Sequence, residues 1–187
     1  DPFPRMIWPT NYGRFGAATM FLLFFAGNDF APETRIDGIP VQEYLQSHYI
    51  ESIRQVALRL KDLPNVVGYD SLNEPVAQWI GHEDLNQLSS RALLLSGATF
   101  TPLQAMAAAA GHTIEVPVYE MGMGGPQVVS QATVNPKGVS LWREGYPDLW
   151  KQNGVWTDEG GEIRALKPAH FAKTREGDRA AEFPRDY

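Results

Sequence analysis

The strongest apolar signal in the chain is residues 17–26, AATMFLLFFA, ten positions with no charge. That is too short for a membrane-spanning helix, which needs roughly 20 apolar residues. Its continuity predicts a strand buried on both faces over 20–26, closed by Gly27-Asn28-Asp29-Phe30-Ala31-Pro32 as a turn. After a polar loop, Pro40 stands where a helix accepts proline in its first turn. From there to residue 61, Val41, Tyr44, Leu45, Tyr49, Ile53, Val56, Ala57 and Leu60 recur at steps of three and four, the mark of an amphipathic helix. Acids fall early (Glu43, Glu51) and bases late (Arg54, Arg59, Lys61), as the helix dipole favours. Pro64 ends it.

A second apolar run with a polar end follows over 65–75. Strand, helix and strand in this order predict a βαβ unit and a parallel sheet, whose carboxyl edge is where ligands bind. Beyond Pro75 the pattern loosens. A helix is expected at 85–95 and an alanine-rich one at 102–110. Strands at 114–119 and 127–134 are expected to form a hairpin through Gly122-Met123-Gly124-Gly125-Pro126. Residues 1–16 read as irregular. Residues 141–156 carry Trp142, Trp150 and Trp156 with Tyr146, an aromatic group that suits either a core or a wall over a sugar.

Composition narrows the function classes. At 187 residues the chain has room for one ordinary domain. A formal net charge of −6 argues against a broad nucleic-acid surface. Without cysteine there is no disulfide and no thiolate metal site. His48, His82, His112 and His170 are scattered, and no His-Glu-x-x-His pattern occurs, so neither a metal nor another cofactor is expected. The glycine run at 122–125 lacks the Gly-Lys-Ser/Thr ending of a phosphate loop. Residues 1–5 have none of the features of a signal peptide, so the start reads as a processing site or an arbitrary cut. Location stays open, with a secreted or periplasmic place compatible with the composition.

The chemistry concentrates in Tyr69-Asp70-Ser71-Leu72-Asn73-Glu74-Pro75. A carboxyl at a strand end, facing a cleft, can protonate a leaving oxygen and later deprotonate water. A neighbouring asparagine suits a sugar hydroxyl, and Pro75 turns the chain away. With the preceding helix ending in Arg59-Leu60-Lys61-Asp62, this segment resembles the fourth strand of glycoside hydrolase family 5, one of a clan of (β/α)8 retaining glycosidases. The resemblance implies that Glu74 is the acid/base and that Asn73 binds the sugar 2-hydroxyl. In the endoglycoceramidase-like branch the third strand ends in a sugar-binding His-Gln-Asp. Gly27-Asn28-Asp29 is similar but lacks the His, and by that likeness Asn28 and Asp29 would contact sugar. Trp79 and His82 follow the acid/base loop and are candidate cleft residues.

The resemblance covers roughly residues 17–80. It implies a fold class of α/β type: part of a (β/α)8 TIM barrel, comprising third strand, helix and fourth strand, with a long insertion after it. Residues 1–80 would be the partial barrel and 81–187 the insertion and cleft wall. The family's nucleophile, a Glu on the seventh strand, has no counterpart after Glu74, since Glu115 and Glu120 fall in the hairpin. The expected partners are therefore a carbohydrate or glycolipid substrate and the remaining part of the same barrel, on a separate or separately described chain. For a glycolipid, residues 107–110 with Met121 and Met123 could help hold an acyl chain. The expected activity is retaining hydrolysis of β-glycosidic bonds in a β-glucan-like oligosaccharide or glycolipid. The rival from another class is a non-catalytic carbohydrate- or lipid-binding relative of the barrel.

Overall fold

A computed structural model of the chain describes residues 14–88, 97–177 and 179–187. The first element corrects the sequence reading. Residues expected as a strand over 20–26 lie inside a helix, α1 (Phe15–Phe30), which buries Ala18, Thr19, Leu22, Leu23, Ala26, Gly27 and Phe30. Those positions recur at helical spacing, while Met20 is half exposed. A strand buried on both faces would have hidden Met20 as well. The run is ambiguous by periodicity, and its composition should have decided it. Alanine, leucine and methionine favour helix, and Thr19 is the only β-branched residue between 17 and 26.

α1 is not continuous. Ala26 has φ −137°, which breaks the helical ladder. In an unbroken helix the Asn28 N–H would donate to the Phe24 carbonyl. Here the Asn28 N–H donates to Gln42 Oε1 at 3.0 Å, and the Phe24 carbonyl accepts from Gln46 Nε2 at 2.7 Å. The two glutamines are one turn apart on the next helix, α2 (Val41–Leu60). The break is thus satisfied from outside, as a buried backbone group requires. Two short strands, β1 (Arg35–Ile36) and β2 (Ile39–Pro40), lead into α2. They close through Asp37 and Gly38, both at positive φ, the conformation of a tight hairpin turn.

α2 follows the expected periodicity and lays its stripe against α1, with Phe24 and Tyr49 meeting edge to face at 5.4 Å. Only Val41 is fully buried, however. Ile50, Val56 and Leu58 remain exposed. Residues 66–72 form neither helix nor strand, and no strand lies beside them among the described residues. The expected parallel pairing is therefore absent from the described residues, where every strand pair is antiparallel. Among the described residues the fold is mixed α and β, with one three-stranded and two two-stranded antiparallel sheets rather than a βαβ unit.

The later elements follow the sequence more closely. Residues 85–88 form a turn, and the rest of the helix expected at 85–95 lies outside the described residues. β3 (Gly97–Ala98) leads to α3 (Pro102–Ala109), which carries a full capping box between Thr101 and Gln104 and a proline in its first turn. β4 (Ile114–Gly122) and β5 (Gly125–Val134) form the expected hairpin, with β3 on its other edge. Ala107 and Ala109 are buried in the core, so the alanine run packs the protein instead of offering a surface to an acyl chain. α4 (Leu149–Gln152) is capped by Asp148, whose Oδ1 accepts from the Trp150 N–H at 2.8 Å. β6 (Trp156–Thr157) and β7 (Arg164–Ala165) complete the order.

At Gly27, α1 packs tightly against the start of α2. A Cβ there would lie 3.1 Å from Val41 Cγ1 and 3.2 Å from Gln42 Cβ. Gly27→Ala is expected to push α2 away and lengthen both glutamine hydrogen bonds, costing about 1–3 kcal/mol. Urea unfolding of the variant beside the parent protein measures this. An unchanged midpoint would mean that the helices are not locked at this point.

Candidate active site

The segment carrying Asn73 and Glu74 leaves α2 through turns at 61–65 and then runs back along the helix. Two tyrosines hold it to the helix. Tyr49 Oη donates to the Ser71 carbonyl, and Tyr69 Oη donates to the Ala57 carbonyl at 3.3 Å. A shallow groove of about 270 Å³ lies between Leu60, Lys61 and residues 66–69. Val67 is fully exposed and Tyr69 half exposed.

At Asn73 and Glu74 the backbone bends. Glu74 has φ +46°, a region that a glutamate with its Cβ enters at a cost of order 1 kcal/mol. Pro75 follows, and a residue before proline is normally driven to extended backbone. The two local preferences are therefore both overridden here. Both side chains are exposed, and no ion pair engages the Glu74 carboxylate among the described residues.

The other candidates lie in different surroundings. Trp79 packs among Phe15, Trp150 and Phe171, with ring centroids at 6.1, 6.2 and 5.6 Å. His82 is buried, and its Nε2 meets the Gln87 carbonyl at 3.1 Å. Asn28 and Asp29 sit in the last turn of α1 and not at the end of a strand, which removes the strand-end setting that likened them to His-Gln-Asp. Asp29 Oδ2 accepts from Tyr187 Oη at 2.8 Å and from the Arg175 N–H at 3.2 Å. Burial, then the Asp29 carboxylate, pushes the Tyr187 phenol well above its usual range. The structure thus brings together Asn73 and Glu74 on one exposed bend. It buries His82, packs a partly buried Trp79 against the core, and sets Asp29 against the C-terminal residues. Tyr187 and Arg175 were invisible as partners of Asp29, because about 150 residues of chain separate them and neither stands in a motif.

Among the described residues no group of three or more His, Asp or Glu is placed to hold a metal ion, and no helix is long and apolar enough to cross a membrane.

Comparison with known proteins adds what the isolated bend lacks. No protein-family model matches the chain. It is 36% identical over 197 residues to a glucosylceramidase of Aspergillus fumigatus, covering 92% of this chain and 26% of that protein. It is 38% identical over 175 residues to a glucosylceramidase of Rhizopus delemar, covering 92% and 25%. An ergosteryl-beta-glucosidase of Saccharomyces cerevisiae is 30% identical over 201 residues, with 92% and 26% covered. In structure the chain superimposes on sterylglucosidase 1 of Cryptococcus neoformans with a TM-score of 0.88 at 30% identity, covering 98% of this chain and 29% of that one. Its relatives are thus β-glucosidases of lipid-linked glucose by name, and the chain spans about a quarter of the length of the curated relatives it matches.

The end of α1 beside Asp29 provides a pH test of this packing. His170 Nε2 bonds the Phe30 carbonyl at 2.8 Å. Burial holds its pKa below the ordinary histidine value, with Lys167 acting in the same direction against the raising effect of the hydrogen bond. A histidine with a depressed folded pKa gives its full stability above about pH 6.5. As pH falls below that value, the unfolded chain takes up a proton that the folded one refuses, so stability drops until the folded pKa is reached. Urea midpoints across this range should fall more steeply for the parent protein than for His170→Gln. Parallel curves would show that His170 is not held neutral.

Proposed function

We propose that this chain is part of a family 5-type retaining β-glycosidase acting on a lipid-linked β-glucoside, in which Glu74 is the general acid/base. The observation that carries the reading is the Asn73-Glu74-Pro75 bend. It presents an exposed carboxylate at positive φ, just past a segment tied to α2 by two tyrosines, in a chain whose relatives are glucosylceramidases and sterol glucosidases. On this reading residues 65–72 are one barrel strand and α2 is the helix before it. The strands on either side, and the nucleophilic carboxylate, belong to the remainder of the longer protein. With α1 a helix, this chain contributes one barrel strand rather than two.

The chemistry then runs in two displacements. A carboxylate elsewhere in the protein attacks the anomeric carbon while the Glu74 carboxyl gives its proton to the leaving lipid oxygen. Glu74, now ionised, takes a proton from water as that water attacks the glycosyl-enzyme and releases glucose. On this reading Asn73 hydrogen-bonds the sugar beside the scissile bond. For Asp29, Trp79 and His82, the contacts in hand are internal ones and lend no support to a sugar-binding role; for Asn28 only its backbone N–H is accounted for.

An acid that protonates a leaving group matters most when that group leaves poorly. In the full-length protein, Glu74→Gln should lower hydrolysis of a glucosyl lipid by about 10²–10⁴-fold, and cleavage of an aryl glucoside with a good leaving group should show a smaller loss in its first step. Equal activity of variant and parent on the lipid substrate would refute the assignment. A parent protein that binds β-glucosides but hydrolyses none would instead identify a non-catalytic relative.

A further inference from the structure

The β4–β5 hairpin divides into two halves. Its base packs on the protein through Val116, which is fully buried. Between Val118 and Tyr119 the register shifts, so that Val129 is an extra residue on β5. Such a bulge bends and twists the ribbon. Beyond it the hairpin stands clear. Met121 is 58% exposed and Met123 fully exposed at the two-residue tip, and both Val128 and Val129 are about half exposed.

Past Glu120, which pairs with Gln127, the hairpin carries no charge. Residues 121–136, MGMGGPQVVSQATVNP, contain no Asp, Glu, Lys, Arg or His. In a chain with 20% charged residues, about three would be expected over that length. Exposed strand edges and tips are normally protected by charge, so an uncharged, apolar tip implies something that it contacts. The tip has no tryptophan, tyrosine or arginine, the residues that anchor protein partners. It has no basic residue to seek an anionic membrane. It does have what shallow insertion between lipid headgroups requires. The methionine side chains are flexible and apolar, and Met121 pairs with Pro126 and Gly122 with Gly125, so much of the backbone at the tip is matched within the hairpin. Backbone entering an apolar layer must be satisfied in this way.

We propose that the outer half of this hairpin, Met121 and Met123 with Val128 and Val129 behind them, is a lipid-contact element that seats the protein on an electrically neutral membrane surface. This rests on the glycolipid reading above for the source of that surface, because a ceramide or sterol glucoside is presented by a bilayer. The hairpin would hold the protein at the layer in which its substrate lies, while the Asn73–Glu74 bend acts on the sugar.

The test uses the full-length protein, with sedimentation on phosphatidylcholine vesicles that contain no glycolipid. The parent protein should partition onto the vesicles, and the double variant Met121→Asp/Met123→Asp should bind at least 10-fold less. Met121→Leu/Met123→Leu should bind as the parent does. The aspartate variant should keep its rate on a soluble aryl β-glucoside and lose hydrolysis of a vesicle-embedded glucosyl lipid in proportion to its lost binding. Vesicle binding that depends on the methionines in a protein that cleaves no glucoside supports the lipid element and removes the glycosidase reading. The proposal is overturned if the parent ignores neutral vesicles, if the aspartate variant binds equally, or if binding requires anionic lipid and vanishes with salt. It is also overturned if the aspartate variant unfolds at lower temperature or changes oligomeric state, since the tip would then be buried against protein.

Discussion

The packing of the chain depends on one aromatic side chain, Phe171, and on the rings it gathers. Its centroid lies 5.4 Å from Phe30, 5.6 Å from Trp79, 5.2 Å from Trp150 and 4.9 Å from His170. These come from the end of α1, from the loop after the Asn73–Glu74 bend, from α4 and from the C-terminal region. No sheet joins those four segments, so ring contact does. Aromatic pairs at such distances contribute about 0.5–1.5 kcal/mol each beyond the burial of their area. The backbone is secured at the same place, since the Gly81 N–H donates to the Phe171 carbonyl at 2.8 Å. The root of the candidate catalytic bend is therefore fixed even though its tip is exposed.

Around this hub, polar side chains complete what irregular backbone leaves open. Gln42 and Gln46 close the break in α1. Asn153, buried beside α4, accepts from the Glu33 N–H at 2.9 Å and donates to Thr34 Oγ1 and the Leu149 carbonyl. Asp158 receives both Lys151 Nζ at 2.6 Å and His112 Nε2 at 2.7 Å; Lys151 and His112 hold its carboxyl below the usual range. A chain with short strands must satisfy many backbone groups by such side-chain bonds. His82 and Asp29, two of the candidate site residues, are engaged in the same way, each bonded within the protein.

Legibility in the sequence followed the range of the forces. The helix at 102–110, the hairpin with its glycine-rich tip and the α2 stripe depend on neighbours within a few residues, and all were readable. The strand assigned to 20–26 was wrong because a short apolar run carries no period, and its helix-forming composition was outweighed by its uniform hydrophobicity. The expected βαβ unit fell with it. At the site, Asn73-Glu74-Pro75 was legible as a motif. The partners of Asp29 were not, because contacts across about 150 residues leave no local mark. Nor was the positive φ of Glu74, which opposes the ordinary preference both of glutamate and of a residue before proline.

The exposure of residues 65–75 bears on chemistry as well as folding. A segment with Val67 fully exposed and no strand beside it among the described residues leaves backbone groups open to pairing with another strand. In the longer protein proposed here, strands laid along both edges would remove those groups from water and close the space around Glu74. The retaining mechanism proposed above also needs a second carboxylate about 5 Å from Glu74, and that group would come from the same part of the protein. The bend at positive φ and the two tyrosine ties hold the segment that carries the glutamate, while the partner carboxylate and the cleft wall would come with the completed barrel. Position and chemistry would then be supplied by different parts of one protein.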